Sequence, residues 1–168
     1  MKTKRNILTV TRLNRLRAQG YSCESNAQLS EMAFGIRFAY RSCVIVLLVA
    51  TATQSTAVFS VMLGIAFLGI VLPNHPFDYV YNYALRHWMK KPKLPERSKQ
   101  LKFACVIATT WLASIVYLMS TMHITVALLL AGTLTFVAVL TSTIDLCVPS
   151  LIYNALFSNK GVTPIKIQ

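Results

Sequence analysis

The chain has 168 residues, of which 55% are hydrophobic and only 13% charged, and it carries a formal net charge of +12. A water-soluble domain of this length cannot bury so much apolar side chain, so composition excludes an ordinary soluble domain and points to a lipid bilayer. The charges avoid the apolar runs and gather in two segments, Lys2 to Arg41 and Arg86 to Lys102.

Residues 1–35 read as a basic cytoplasmic arm. Its stretch ILTVTRLNRLRAQG, Ile7 to Gly20, contains no unbroken apolar core beside a cleavage site, so a removable secretory leader is not expected. The arginines suit a bilayer with anionic headgroups, or an acidic partner. Aromatic residues are not interleaved with these charges, which argues against a nucleic-acid partner.

A hydrocarbon core of about 30 Å takes roughly 20 apolar residues per helix. Residues 36–72 are long enough for a first transmembrane hairpin, with its turn at the uncharged TATQST, Thr51 to Thr56. Residues 73–102 then form a cytoplasmic loop. Within PFDYVYNYALRHWMKK, Phe77, Val80, Tyr81, Ala84, Leu85 and Trp88 recur at the spacing of one helical face, opposite Asp78, Asn82, Arg86 and Lys90. Asn74 is expected to cap this helix, Pro76 suits its first turn and Pro92 ends the run. Phe77, Tyr81 and Trp88 are expected at headgroup level, although the same stripe would serve equally against a partner subunit.

Residues 103–145 supply the second transmembrane hairpin, turning at MSTMHI, Met119 to Ile124. Residues 146–168 form a second surface helix and tail, opened by Pro149, with Leu151, Ile152, Ala155 and Leu156 on its membrane-interface side. Its YNAL, Tyr153 to Leu156, echoes YNYAL, Tyr81 to Leu85, as two copies of one hairpin-plus-surface-helix unit would. Ser60 and Gly64, Thr109 and Ala113, and Ala127 and Ala131 repeat small residues at a spacing that lets helices approach closely. The fold class is therefore all-α: a polytopic membrane protein of four transmembrane helices in two hairpins, with amphipathic surface helices on the cytoplasmic side. Neither hairpin turn holds Lys or Arg, so the positive-inside bias puts both termini and the central loop in the cytoplasm, in an inner membrane if the cell is bacterial.

Few residues carry chemistry. Arg37 and Arg41 stand one helical turn apart, and Asp145 closes the fourth span at the same level, so an ion pair is expected, with the arginines also able to snorkel to headgroups. A conducting role is disfavoured, because no second acid lies deeper in any span. Cys147 precedes a helix start on a positive surface, which favours a thiolate, while Asp145 opposes it. Cys23 would be the distant second thiol; Cys43 and Cys105 read as small packing residues. The cysteines and His75, His87 and His123 show no metal-ligand spacing, and no cofactor is evident. With five acids in the whole chain, general acid–base catalysis has few candidates.

Cys23, Arg37, the LPNHPFDYVY segment and LCVPSLIY together resemble a family of small bacterial four-helix integral membrane proteins of unknown function. Such relatives carry an N-terminal cysteine, an arginine entering the first span, a proline-containing central loop and a C-terminal Cys-x-x-Cys-type motif. The likeness runs from about Cys23 to Phe157 and implies thiol chemistry. This chain reads Cys-Val-Pro-Ser, with Ser150 in place of the second cysteine, which works against an internal redox cycle there. The expected function is a non-catalytic structural or accessory subunit among other membrane protein subunits. The alternative is a thiol-redox or sulfur-handling protein that uses Cys147, with Cys23 or a thioredoxin-like partner.

Overall fold

A computed structural model describes residues 8–21 and 24–157, and every regular element among them is helical. In chain order these are α1 (Val10–Ala18), α2 (Asn26–Thr53), α3 (Thr56–Val71), α4 (Pro76–Val80), a π turn (Tyr81–Leu85), α5 (Arg86–Met89), α6 (Lys99–Ser120), α7 (Ile124–Ile144) and α8 (Val148–Phe157).

Helix ends follow local chemistry. Ser25 and Gln28 form a reciprocal capping box at the start of α2, and the Ser55 and Ser98 hydroxyls accept backbone N–H groups at the starts of α3 and α6. Four non-glycine residues adopt left-handed backbone where helices stop: Gln54, Lys90, Met122 and Asp145. Helices α2 and α3 are thus separated by Gln54 and Ser55, and α6 and α7 by Thr121 to His123, both inside the uncharged breaks seen in the sequence.

Helices α2, α6 and α7 are long and apolar enough to cross a membrane. At 28 residues α2 extends about 42 Å, beyond the hydrocarbon thickness, because it starts at Asn26, ten positions before the expected span. Helix α3 has 16 residues, and the chain bends by 79° between it and Pro76–Met89. The most extensive packing joins α3 to α6 and α2 to α7; α6 also lies against α7 and α8.

Two cores result. Toward these two breaks, Leu47, Phe59, Met62, Leu112, Ile115, Ala127 and Ala131 interlock between the long helices. At the other end Leu13, Leu16, Leu29, Met32, Ile36, Tyr81 and Leu94 make a cap beneath α1. Gly20, at φ 99, ends α1 with Ser98 standing where its side chain would be. The outward faces of the long helices carry large apolar side chains, among them Ile45, Leu48, Val61, Phe67, Leu129 and Phe136.

Several expectations change. His75, not Asn74, caps α4: its Nδ1 accepts the Phe77 N–H at 3.3 Å, and Asp78 Oδ2 accepts the His75 N–H at 3.1 Å. Asn74 is buried, its Oδ1 without a partner among the described residues. Tyr81 is wholly buried, so it does not face lipid. Asp78 and Asn82, assigned to a solvated face, also point inward. The π turn rotates the helix between Asp78 and Trp88, and the inward polar groups hold residues 92–97. Asn82 Oδ1 accepts the Leu94 N–H at 2.9 Å and Tyr81 donates to the Pro92 carbonyl at 3.4 Å. Of the small-residue pairs only Ala127 and Ala131 are buried; Ser60, Gly64 and Ala113 face outward.

Candidate functional site

The polar residues converge at the capped end, around two buried carboxylates. Asp145 is 1% exposed and terminates α7 in left-handed backbone. Carbonyls at a helix C-terminus lack intrahelical donors and carry the negative end of the dipole, so a carboxylate there needs strong compensation. Helix α2 and the N-terminal arm supply it together. Arg37 grips Asp145 in a two-pronged pair at 2.7 and 2.5 Å, with Arg12 Nε 4.0 Å away. Arg12 also donates to the Thr143 carbonyl at 3.2 Å, Arg15 to Ile144 at 2.8 Å and Gln19 to Asp145 at 2.8 Å. Arg41, expected in the same group, is exposed and makes no salt bridge among the described residues.

Asp78 lies in the first turn of α4, where the dipole favours an anion. Arg97 donates to it from Nε at 2.6 Å and Nη2 at 3.4 Å. The Arg97 backbone N–H reaches the Pro73 carbonyl at 2.9 Å, and its Nη1 lies 3.6 Å from Cys105 Sγ. This pair was missed in the sequence.

Between the bundle core and the cap is a cavity of about 370 Å³. Aliphatic side chains and Trp111 make most of its wall; Tyr40, His75, Arg97, Thr133, Thr141 and the thiols of Cys43, Cys105 and Cys147 are its polar groups. All three described cysteines are therefore free thiols on one cavity. Gly69 permits the arrangement, because a Cβ there would lie 2.7 Å from His75 Cδ2 and 3.0 Å from Cys105 Sγ. Burial, with the Arg97 charge adding to it, pushes the His75 imidazole down to about 3, so the ring is neutral. Since Nδ1 accepts the Phe77 N–H, its proton sits on Nε2.

Cys147 is buried rather than open to water, and burial raises its thiol pKa against the opposing hydrogen bond that Ser150 donates at 3.1 Å. The thiolate expected from a helix start on a positive surface is thus disfavoured. Cys23 lies outside the described residues. Trp88 is 85% exposed, Leu151 and Ile152 are exposed, and Phe77 is half-buried against the His75 ring. Among the described residues no group of three His, Cys, Asp or Glu side chains is placed to hold a metal.

The class defined by this fold is a helical protein with at least three helices suited to crossing a membrane. More particularly, the chain belongs to the DUF4395 family, a domain of unknown function, whose profile matches residues 33–157. That match starts ten residues after Cys23 and ends at Phe157, where the resemblance in the short motifs also ends. No curated protein and no solved structure matches the chain.

Proposed function

We propose that this protein is a non-catalytic integral membrane protein that serves as a structural or accessory subunit of a larger membrane assembly. The supporting observation is the distribution of its surface. Large apolar side chains cover the outward faces of α2, α3, α6 and α7, while both buried ion pairs lie at one end. An apolar surface of this extent favours lipid or protein cover over water.

In this reading α3 is a fourth crossing. Its 16 residues reach about 24 Å, and the 79° bend after it lays residues 76–89 along the surface. The helices then form two hairpins whose turns, free of Lys and Arg, lie across the membrane from the cationic end. By the positive-inside bias both termini and residues 73–102 are cytoplasmic, in the inner membrane of a bacterium. Trp88, Leu151 and Ile152 meet the interface, and the basic arm faces anionic headgroups.

The accessory role draws on the outward small residues. Ser60 and Gly64 leave a shallow notch on α3, since a Cβ at Gly64 would meet nothing within 4 Å, and such notches suit a neighbouring helix. In native electrophoresis from digitonin-solubilised membranes, the wild type should migrate in a complex larger than the monomer. Gly64→Leu should release the folded monomer. Wild-type protein migrating only as a monomer would contradict the accessory role. The thiol-redox alternative has less support, because Cys147 is buried with its thiolate disfavoured and Ser150 occupies the place of a second cysteine.

A further inference from the structure

We infer that the cavity is a binding site for a neutral, lipophilic molecule whose head carries a hydrogen-bond acceptor, a substituted quinone being the chemical class that fits. Its volume, about 370 Å³, falls at the lower end of the range of small-molecule sites, and a largely apolar wall with few polar groups is typical of them.

The polar groups on the wall select the head. Arg97 is the one cation there, and Asp78 already neutralises it through two hydrogen bonds. A carboxylate or phosphate head would enter as an uncompensated buried charge, and no carboxylate lines the cavity to receive a cation. The hydroxyls of Thr133 and Thr141 donate to carbonyls of their own helix, and Trp111 Nε1 donates to the Leu130 carbonyl at 3.0 Å. His75 differs. Its Nδ1 is taken by the Phe77 N–H, and among the described residues no hydrogen bond is made by its Nε2–H, on a ring that lines the cavity. The ring edge that carries it lies beside Cys105 on the cavity wall. A donor that faces a largely apolar cavity gains from an acceptor placed there, so a carbonyl oxygen against His75 satisfies the site better than a hydrocarbon alone. The thiols of Cys43, Cys105 and Cys147 supply a soft, polarizable surface beside a flat ring.

The site does not depend on the number of membrane crossings, so it can be tested on detergent-solubilised full-length protein. The probe is decylubiquinone, read by quenching of Trp111 in a Trp88→Phe background, which removes the exposed second tryptophan. Saturable quenching is expected. Ala138→Leu, which fills the cavity, should reduce apparent affinity by at least about tenfold. His75→Asn keeps an N-cap acceptor for α4 but withdraws the Nε2–H, which the shorter amide does not replace at that position, and should weaken binding by about tenfold, the size of one hydrogen bond. Both variants are first shown to be folded by the temperature at which their buried thiols become reactive. Non-saturable quenching, or equal quenching in Ala138→Leu, would overturn the site. Decylbenzene or laurate competing as well as decylubiquinone would overturn the neutral acceptor head. Failure on any of these counts leaves the membrane placement intact.

Discussion

Asp78 and Asp145 are both buried carboxylates paired with an arginine, yet they stand at opposite ends of their helices. Asp78 lies in the first turn of α4, where the helix dipole assists it, and the His75 backbone N–H and Arg97 complete its shell. Asp145 stands at the C-terminal cap of α7, where the dipole opposes it, and Arg37, Arg12, Arg15 and Gln19 gather on it and its neighbouring carbonyls. A favoured anion needs one cation; a disfavoured one recruits Arg37 of α2 and, beyond it, the arm that carries α1. Hence α1, which cannot itself cross a membrane, is tied to the end of α7.

This contrast orders the effects of mutation. Arg97→Ala removes the single cation from Asp78 and should cost the most, about 3–5 kcal/mol, seen as a large drop in the temperature at which buried thiols react with a fluorogenic maleimide. Arg37→Ala should cost less, about 2 kcal/mol, since Arg12 remains within 4.0 Å of Asp145. If the two losses are equal, or their order is reversed, the redundancy argued for Asp145 is wrong.

A third effect separates the sites by pH. The His75 ring beside Asp78 has its affinity for protons lowered by burial and by Arg97, from the ordinary 6.5 to about 3. Between those values the unfolded chain binds a proton that the folded chain refuses, so stability falls as pH drops through that window. The steepest slope is about 1.4 kcal/mol per pH unit. Thermal scans of wild type and His75→Asn should diverge at pH 7 and converge as pH falls toward 4. Parallel curves would remove His75 from the account.

The smallest effect concerns Cys147, two residues beyond Asp145. N-ethylmaleimide should label it slowly in native membranes at neutral pH, and Ser150→Ala should slow labelling further by removing the hydrogen bond that favours its thiolate. Fast labelling of the wild type would restore the redox reading of that thiol.

The two carboxylates were not equally legible. Arg37 and Asp145 interrupt apolar stretches, and a charge inside such a stretch demands a partner, so spacing and topology suffice to suggest the contact. Asp78 sits on the polar side of an amphipathic stretch, which ordinarily means solvent. Nothing in the sequence showed that the π turn and the proline-rich segment 92–97 would close over that side. For the same reason Tyr81 reads as an interfacial aromatic although it plugs the cap against Gly35. The cavity was hidden because it arises from how several helices meet. Its sequence trace is a scatter of Ala and Cys, including Ala39, Cys43, Ala104, Cys105, Ala108 and Ala138, which single-helix patterns treat as ordinary packing residues.

The most direct test of the membrane account is labelling of single cysteines by a membrane-impermeant maleimide, with Gln54, Met122 and Lys93 replaced in turn in a background lacking the native cysteines. The account predicts that Gln54→Cys and Met122→Cys react from outside intact cells, while Lys93→Cys reacts only after permeabilisation. Labelling of Gln54→Cys and Lys93→Cys from the same side would contradict it.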